Sequence, residues 1–193
     1  MKENRKGDIF MSLVNTPSGN RLHIGIFGKR NSGKSSLLNA ITGQEIALVS
    51  EVKGTTTDPV SKAMEIHPIG PCLLIDTAGF DDTGDLGNMR IEKTKAVLDK
   101  TDVAVVVFSD MQMELETQWI AMLRQRKIPI LAVVNQVDRI EQAQEIKRQI
   151  EQRFSLTPLL VSAKEKTGIS QMKHEILRLM PPDFEAQSLT GSL

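Results

Sequence analysis

One octapeptide near the start of the chain restricts its possible folds more than any other feature. Residues 28–35, Gly-Lys-Arg-Asn-Ser-Gly-Lys-Ser, match the phosphate-cradling pattern G-x-x-x-x-G-K-[S/T]. The segment before it, Leu22–Gly28, is apolar and strand-like, and Lys34–Thr42 after it has a helical pattern. A loop between a strand end and a helix N-terminus presents backbone N–H groups to an anion. This context favours a nucleotide-binding loop over a chance glycine-rich turn.

Each type of residue in this loop has an expected role. Gly28 and Gly33 let the backbone approach phosphate oxygens that a Cβ would obstruct. We expect the ammonium of Lys34 at the β- and γ-phosphates and the hydroxyl of Ser35 on Mg²⁺. The predicted nucleotide-binding residues of the loop are Gly28, Asn31, Ser32, Gly33, Lys34, Ser35 and Ser36.

The composition is that of an ordinary globular domain without net charge. The 193 residues are about one domain's length, and 24 basic residues balance 24 acidic ones, so nucleic acid is not an expected partner. The lone Cys72 excludes a disulfide or a multi-cysteine metal site within this chain. No apolar run approaches the ~20 residues that cross a bilayer, so we expect a cytoplasmic protein with no membrane partner.

Strand and helix patterns alternate between residues 21 and 181. This order predicts an α/β fold, a six-stranded and mostly parallel sheet covered by about five helices. The predicted strands are 22–28, 60–67, 72–76, 103–109, 128–135 and 159–162. The predicted helices are 34–42, 88–100, 115–126, 141–154 and 169–180. A turn at 67–71 makes the second strand the one antiparallel member. Residues 1–20 are predicted to form a flexible arm, and residues 182–193 the start of a linker.

Two further segments predict a magnesium site and a switch. Asp76 and Gly79 belong to a D-x-x-G pattern at the end of the third predicted strand. The Asp76 carboxylate can hold a water of the Mg²⁺ shell, and the Gly79 N–H can reach the γ-phosphate. A threonine hydroxyl from residues 55–57 can ligate Mg²⁺ only when the γ-phosphate holds that segment in place. Alone, a D-x-x-G pattern is usually a simple turn, and the threonine segment is equally typical of a loop that enters a strand.

Two segments after the last predicted strands favour guanine as the base. The Asp138 carboxylate can accept hydrogen bonds from the N1–H and the exocyclic amine of guanine, whereas adenine has no N1–H. Asn135 is expected to tie the base loop to the phosphate loop, and the Ala163 N–H to serve the guanine O6. The predicted base-binding residues are Asn135, Gln136, Asp138, Ser162, Ala163 and Lys164.

Residues 21–180 resemble a translation-factor-related GTPase of the TrmE/Era/EngA type. The resemblance rests on residues 28–39 and on Gly-Thr-Thr-Thr-Asp at 54–58. It implies the three-layer P-loop NTPase fold of a Ras-like G domain, hydrolysis of GTP to GDP and phosphate, and Thr56 as the Mg²⁺-sensing threonine. The catalytic residues that it implies are Lys34, Thr56, Gly79 and Asn31.

A narrower resemblance is to the GTPase domain of the HydF family, scaffolds of [FeFe]-hydrogenase maturation. It rests on residues 54–60, 68–71 and 76–82. It implies that dimerisation and iron–sulfur cluster domains follow a truncated chain, with a homodimer and other hydrogenase maturation proteins as possible partners. No cluster is expected within these residues, because Cys72 falls in a predicted core strand, where a thiol is inert.

Three departures from the family pattern affect the expected catalysis. Phe80 stands where Ras-like enzymes carry a water-orienting glutamine. By resemblance to potassium-dependent relatives, Asn31 is the expected K⁺ ligand, the alternative being a loop hydrogen bond. Residues 80–90 contain no glutamate, so hydrolysis is expected to be slow. Gln136 replaces the usual lysine, and its shorter stem predicts modest affinity for guanine nucleotides.

The sequence thus predicts slow GTP hydrolysis with Mg²⁺ and K⁺. The nucleotide state would order or release residues 44–58 and 79–90 and so signal to attached domains or partners. Two other functions stay open. Phe80 is compatible with a nucleotide-gated interaction module that does not hydrolyse GTP. An RNA-associated GTPase of the same superfamily is the second, and the balanced charge counts against it.

Overall fold

The computed structural model describes residues 21–43, 61–77 and 87–184 of the chain. The strands of these ranges are β1 (Leu22–Gly28), β2 (Ser61–Ile66), β3 (Gly70–Asp76), β4 (Val103–Phe108), β5 (Ile130–Val134) and β6 (Leu159–Leu160). The helices are α1 (Lys34–Thr42), α2 (Gly87–Asp99), α3 (Glu114–Gln125), α4 (Ala143–Phe154) and α5 (Ile169–Leu179). The predicted α/β class is confirmed.

The six strands form one sheet in the order β2-β3-β1-β4-β5-β6. β1 lies between β3 and β4 and pairs with both in parallel, and β4–β5 and β5–β6 are also parallel. β2 pairs with β3 in antiparallel orientation, as the turn at 67–71 predicted. Because helices connect the parallel strands, the carboxyl ends of these strands lie along one edge of the sheet.

The sheet separates two hydrophobic cores, which β4 shows most clearly. All six residues of β4 are buried. Val103, Val105 and Val107 pack into the core beneath α1 and α5, and the alternate residues pack beneath α2, α3 and α4. Alternation of side chains across a strand places both sets in apolar surroundings. Trp119 belongs to the second core and contacts Phe27, with ring centroids 6.1 Å apart.

The strand and helix boundaries all lie within two residues of the predicted ones. Two differences, at β6 and after α5, have an identifiable cause. β6 ends at Leu160 rather than 162, because the backbone of Ser162 exchanges hydrogen bonds with that of Thr167, both 3.0 Å long. Beyond α5, residues 182–184 form a helical turn in which the Phe184 N–H donates to the Pro181 carbonyl. Phe184 packs against the core, so the domain extends past the predicted start of the linker.

Cys72 lies in β3, and its surroundings determine the reactivity of its thiol. Cys72 is fully buried, and this burial, reinforced by Glu65, raises the pKa of its thiol to about 12. The thiol therefore stays protonated at neutral pH, as its position in a core strand predicted.

None of the helices within the described residues is long and apolar enough to cross a membrane.

Candidate nucleotide-binding site

The predicted site residues converge at the carboxyl edge of the sheet. The phosphate loop follows β1, Asp76 ends β3, and Asn135 follows β5 directly. Asp76 lies opposite Ile26 in the register of β3 on β1. In open α/β sheets ligands bind in the crevice outside this edge. The topology therefore brings together segments that are far apart in the sequence.

The phosphate loop has a backbone shape that two glycines make possible. Gly33 has φ +82°, and a Cβ there would lie 2.5 Å from the Asn135 side-chain nitrogen. At Gly28 a Cβ would lie 2.7 Å from the Ser32 hydroxyl. Asn31 also adopts a positive φ of 63°, which asparagine tolerates better than most residues. The glycines are thus required by the packing of the loop against its neighbours.

Lys34 folds back on the loop from the first turn of α1. Its side chain is buried, and Nζ donates to the carbonyls of Gly28, at 2.5 Å, and Lys29, at 2.8 Å. Ser35 and Ser36 are exposed on the same turn. Ser32 is buried, and its hydroxyl meets no hydrogen-bond partner within the described ranges. A buried hydroxyl without a partner is a place where a phosphate oxygen would restore a hydrogen bond.

The end of β3 is held against β1 beside this loop. The Thr77 hydroxyl donates to the Ile26 carbonyl at 2.7 Å, and the Thr77 N–H donates to the same oxygen at 3.3 Å. Asp76 is only 5% exposed. A buried carboxylate beside a phosphate loop suits Mg²⁺, which usually takes one or two protein carboxylates together with phosphate oxygens and water. Thr56, Gly79 and Phe80 lie outside the described residues.

Asn135 connects three loops of the site. It is 0% exposed, and its side-chain nitrogen donates to the carbonyls of Ser32, at 3.0 Å, and Gly33, at 3.3 Å. Its side-chain oxygen accepts from the Ala163 N–H at 3.4 Å. That N–H, expected at the guanine O6, therefore also serves to hold the base loop. Asn135 makes the link to the phosphate loop that the sequence predicted.

Asp138 is exposed and held in a charged form. The Ser162 hydroxyl donates to its Oδ1 at 2.6 Å and accepts from the Glu165 N–H at 3.1 Å. This hydrogen bond from Ser162 is the largest cause that lowers the pKa of the Asp138 carboxyl. An ionised, oriented carboxylate is what the two N–H groups of guanine require as an acceptor. Lys164 is also exposed near this loop.

Gln136 has a contact that its sequence position alone did not indicate. It adopts a positive φ of 64°, and its side-chain nitrogen donates to the Asn31 carbonyl at 3.0 Å. From the sequence we expected only that the side chain of Gln136, shorter than that of the usual lysine, lies beside the base. The structure adds a second link between the base loop and the phosphate loop, next to that of Asn135. The hydrogen bond spans 105 residues of sequence, so no local pattern could reveal it.

The fold and the arrangement of these loops define the class, a P-loop GTPase domain. Residues 23–136 match the model of the family described as 50S ribosome-binding GTPase. The chain belongs to this family.

Individual relatives agree with this assignment. The chain is 33% identical over 172 residues to GTPase Der of Wolinella succinogenes, covering 82% of this chain and 36% of that protein. It is 38% identical over 162 residues to the tRNA modification GTPase MnmE of Bordetella petrii, covering 82% and 33%. It therefore spans about a third of the length of these curated relatives. A solved structure of Era with MgGDPNP and nucleotides 1506–1542 of 16S ribosomal RNA has a TM-score of 0.64 at 22% identity, covering 82% and 56%.

These comparisons confirm the broader of the two predicted resemblances. The predicted GTPase class is confirmed by the family model and by the relatives named GTPase, and the Era structure supports the predicted G-domain fold. The relatives reported above give no indication of a hydrogenase maturation protein. The narrower resemblance, the K⁺ requirement and the slow rate stay predictions.

Proposed function

We propose that this domain is a nucleotide-operated switch that binds GTP with Mg²⁺ and hydrolyses it slowly to GDP and phosphate. The observation that carries the proposal is the hydrogen-bonding of Asn135, which joins the phosphate loop to both base loops. A site of this kind holds the phosphate-binding and base-selecting groups at a fixed separation. Such preorganisation favours one class of ligand, a nucleotide, and the oriented Asp138 carboxylate favours guanine as its base.

Each predicted residue has a place in this proposal. Lys34, held by the Gly28 and Lys29 carbonyls, directs its ammonium to the β- and γ-phosphate oxygens, and Asp138 accepts hydrogen bonds from the two guanine N–H groups. Ser35 and Asp76 would hold Mg²⁺, Asp76 through water, and a bound Mg²⁺ would supply positive charge beside the phosphates. Thr56 and Gly79 sense the γ-phosphate, and their loops carry the signal. These last two assignments rest on the sequence alone.

Potassium is the proposed substitute for the missing glutamine. Phe80 cannot orient a water, so another group has to stabilise the transition-state charge. The Asn31 side chain is exposed at the tip of the phosphate loop, while its carbonyl accepts the hydrogen bond from Gln136. This leaves the side-chain oxygen accessible to a cation, which supports Asn31 as the K⁺ ligand.

GTP turnover in two salts tests the catalytic part of the proposal. Hydrolysis is measured with Mg²⁺ in KCl and in NaCl at equal ionic strength, with ATP as the control nucleotide. We expect hydrolysis of GTP alone, faster in KCl, and its loss in Lys34→Ala. Equal rates in both salts would exclude the K⁺ mechanism. Tight GTP binding without turnover would favour the interaction module instead.

Two processes are proposed for the output of the switch. Relatives named tRNA modification GTPase and the RNA in the Era structure favour an RNA-associated process. The resemblance carried by residues 54–60, 68–71 and 76–82 supports [FeFe]-hydrogenase maturation, with attached dimerisation and iron–sulfur cluster domains. The names of the relatives therefore favour the RNA-associated process. The zero net charge of the chain counts against direct RNA binding.

Filter binding with structured RNA separates the two processes. Tight binding that weakens steeply with salt would support the RNA-associated role, because phosphate contacts release counterions. For the alternative, hydrogenase activity is measured in cells whose own copy of this protein carries Lys34→Ala. Loss of that activity without RNA binding in vitro would support hydrogenase maturation. Retained hydrogenase activity would exclude it.

A further inference from the structure

Lys29, the second residue of the phosphate loop, extends its side chain to the segment between β4 and α3. Its Nζ donates to Asp110 Oδ1 and to the Gln112 carbonyl, both at 2.5 Å. Asp110 Oδ1 also accepts from the Gln112 N–H at 2.8 Å, so this segment curls around the ammonium. Only 18% of the Lys29 side chain is exposed, although its position in the motif is variable.

A buried carboxylate lies behind these two acceptors. Glu116, in the first turn of α3, is 1% exposed, and its Oε1 is 3.8 Å from Lys29 Nζ. Neither carboxylate oxygen has a hydrogen-bond partner in another of the described residues. A buried charge with so little compensation costs stability. We name Asp110, the Gln112 carbonyl and Glu116 together the Lys29 anchor.

The backbone of Lys29 transmits this anchoring to the centre of the site. β1 ends at Gly28, so Lys29 is the first residue beyond the strand. Its carbonyl accepts hydrogen bonds from Lys34 Nζ, at 2.8 Å, and from the Ser32 N–H, at 3.2 Å. A displacement of Lys29 would therefore move a carbonyl that holds the Lys34 ammonium.

We propose that Lys29 is a positioning residue of the nucleotide site, whose ammonium is held by the Lys29 anchor so that its carbonyl places Lys34 for the phosphates. This inference rests on the proposed role of Lys34 and extends it to the β4–α3 segment. Lys29 acts through the backbone of the loop and touches no reacting atom in this proposal. It makes the segment 110–116 a part of the phosphate site.

The anchor responds to pH through Glu116. Desolvation by burial raises the pKa of its carboxyl to about 7, opposed by its own backbone amide and by Lys29. Asp110 and Glu114 are the carboxylates that add to the rise. Glu116 is therefore charged above pH 7 and largely neutral below it. The hold on Lys29 strengthens as pH rises through 7, and nucleotide affinity is expected to rise with it.

Equilibrium binding of a fluorescent GDP derivative at pH 6 and pH 8 tests the inference. The variants are Lys29→Met, Glu116→Gln and Lys29→Arg, and Arg126→Gln is the matched control, because it removes a half-buried cation paired with Asp99 away from the site. We expect Lys29→Met to weaken binding about tenfold at pH 8 and less at pH 6. Glu116→Gln should abolish the difference between the two pH values, and Lys29→Arg should recover most of the affinity.

The outcomes separate this inference from the proposed function. If Lys29→Met binds GDP as tightly as wild type at both pH values while Lys34→Ala loses binding, the Lys29 anchor is overturned and the proposed function is retained. Failure of the wild-type chain to bind GDP would reject both. A purely structural role would weaken binding in Lys29→Met without removing its pH dependence. If thermal melting shows that Lys29→Met does not fold, Glu116→Gln tests the inference instead. A GDP affinity that still differs between pH 6 and pH 8 in Glu116→Gln would overturn it.

Discussion

Two buried polar residues, Asn135 and Glu116, contact the phosphate loop from different elements and differ in how their polar atoms are satisfied. The Asn135 amide donates to two carbonyls of the loop and accepts from Ala163. Glu116 has no hydrogen-bond partner in another described residue, and its Oε1 lies 3.8 Å from the Lys29 ammonium. A buried polar group costs little when its hydrogen bonds are made and much when they are not.

This difference assigns different tasks to the two contacts. A neutral, fully bonded amide fixes the geometry of the loop at every pH at which the protein is folded. A carboxyl group whose pKa burial raises to about 7 provides a hold whose strength changes near neutrality. The first contact therefore gives the site its shape. The contact of Glu116 with Lys29 adjusts the affinity for nucleotide, and the buried charge lowers the stability of the domain. Such a trade-off is common at functional sites.

The largest effect is expected from removing the satisfied contact. Asn135→Ala removes the hydrogen bonds to the Ser32 carbonyl and from the Ala163 N–H, and the Gly33 carbonyl keeps only that from the Leu37 N–H, so we expect a loss of about 4 kcal/mol in the free energy of unfolding. Nucleotide affinity should fall by at least a hundredfold, on the order of 3 kcal/mol. Denaturant unfolding and GDP titration measure both. Gln149→Ala, which removes an amide bonded to Glu145 on α4, is the matched control and should change either quantity little.

Removing the buried charge of Glu116 should raise the free energy of unfolding, whereas removing the Asn135 amide should lower it. The pKa of Glu116 is raised from 4.5 to about 7 by folding, so wild-type stability falls between these pH values and stays lower above pH 7. Glu116→Gln removes the charge but leaves a buried amide, so we expect a gain of about 2 kcal/mol at pH 8 and none at pH 4. Urea unfolding at several pH values measures it. A variant less stable than wild type at pH 8 would contradict the comparison.

The link made by Gln136 should matter less than that of Asn135, because it is a single hydrogen bond near the surface. We expect Gln136→Ala to weaken GDP binding about fivefold through loss of the bond to Asn31, roughly 1 kcal/mol. Gln136→Lys, which introduces the usual residue of this motif, should bind at least as tightly as wild type. Titration of the three proteins at one salt concentration tests this order.

The smallest effect is expected at Ser162. Its hydroxyl lowers the pKa of Asp138, so Ser162→Ala should raise that pKa. Because Asp138 is ionised at neutral pH in either protein, GDP affinity at pH 7 should fall only about threefold, through looser orientation of the carboxylate. The loss should grow as pH falls toward the raised pKa. An unchanged pH profile below pH 5 would show that Ser162 does not hold Asp138.

The sequence predicted the fold well because its signals were strong and local. The apolar run of β4 is typical of a strand buried on both faces, and the β1–loop–α1 unit carries a motif with few alternatives. The bounds of β1 and α1 match those predicted. β6 was predicted too long because the bridge between Ser162 and Thr167, which ends it, depends on a turn.

The contacts that position the site could not be predicted in the same way. Lys29 and Gln136 bond to groups 81 to 105 residues away, so neither bond leaves a local pattern. Glu116 did leave one: it lies on the stripe formed with Trp119, Ile120 and Leu123, all buried on α3. A glutamate at such a position is usually assigned to an exposed face, whereas the spacing indicated burial.

The central claim, a guanine-selective site built around Asp138, is tested most directly by exchanging the base. Dissociation constants are measured for GDP, ADP and XDP with wild type and Asp138→Asn. We expect wild type to bind GDP and to reject ADP, and the variant to prefer XDP, because an amide N–H₂ can donate to the xanthine O2 where guanine carries an amine. Equal binding of ADP by wild type, or undiminished GDP binding by the variant, would contradict the account.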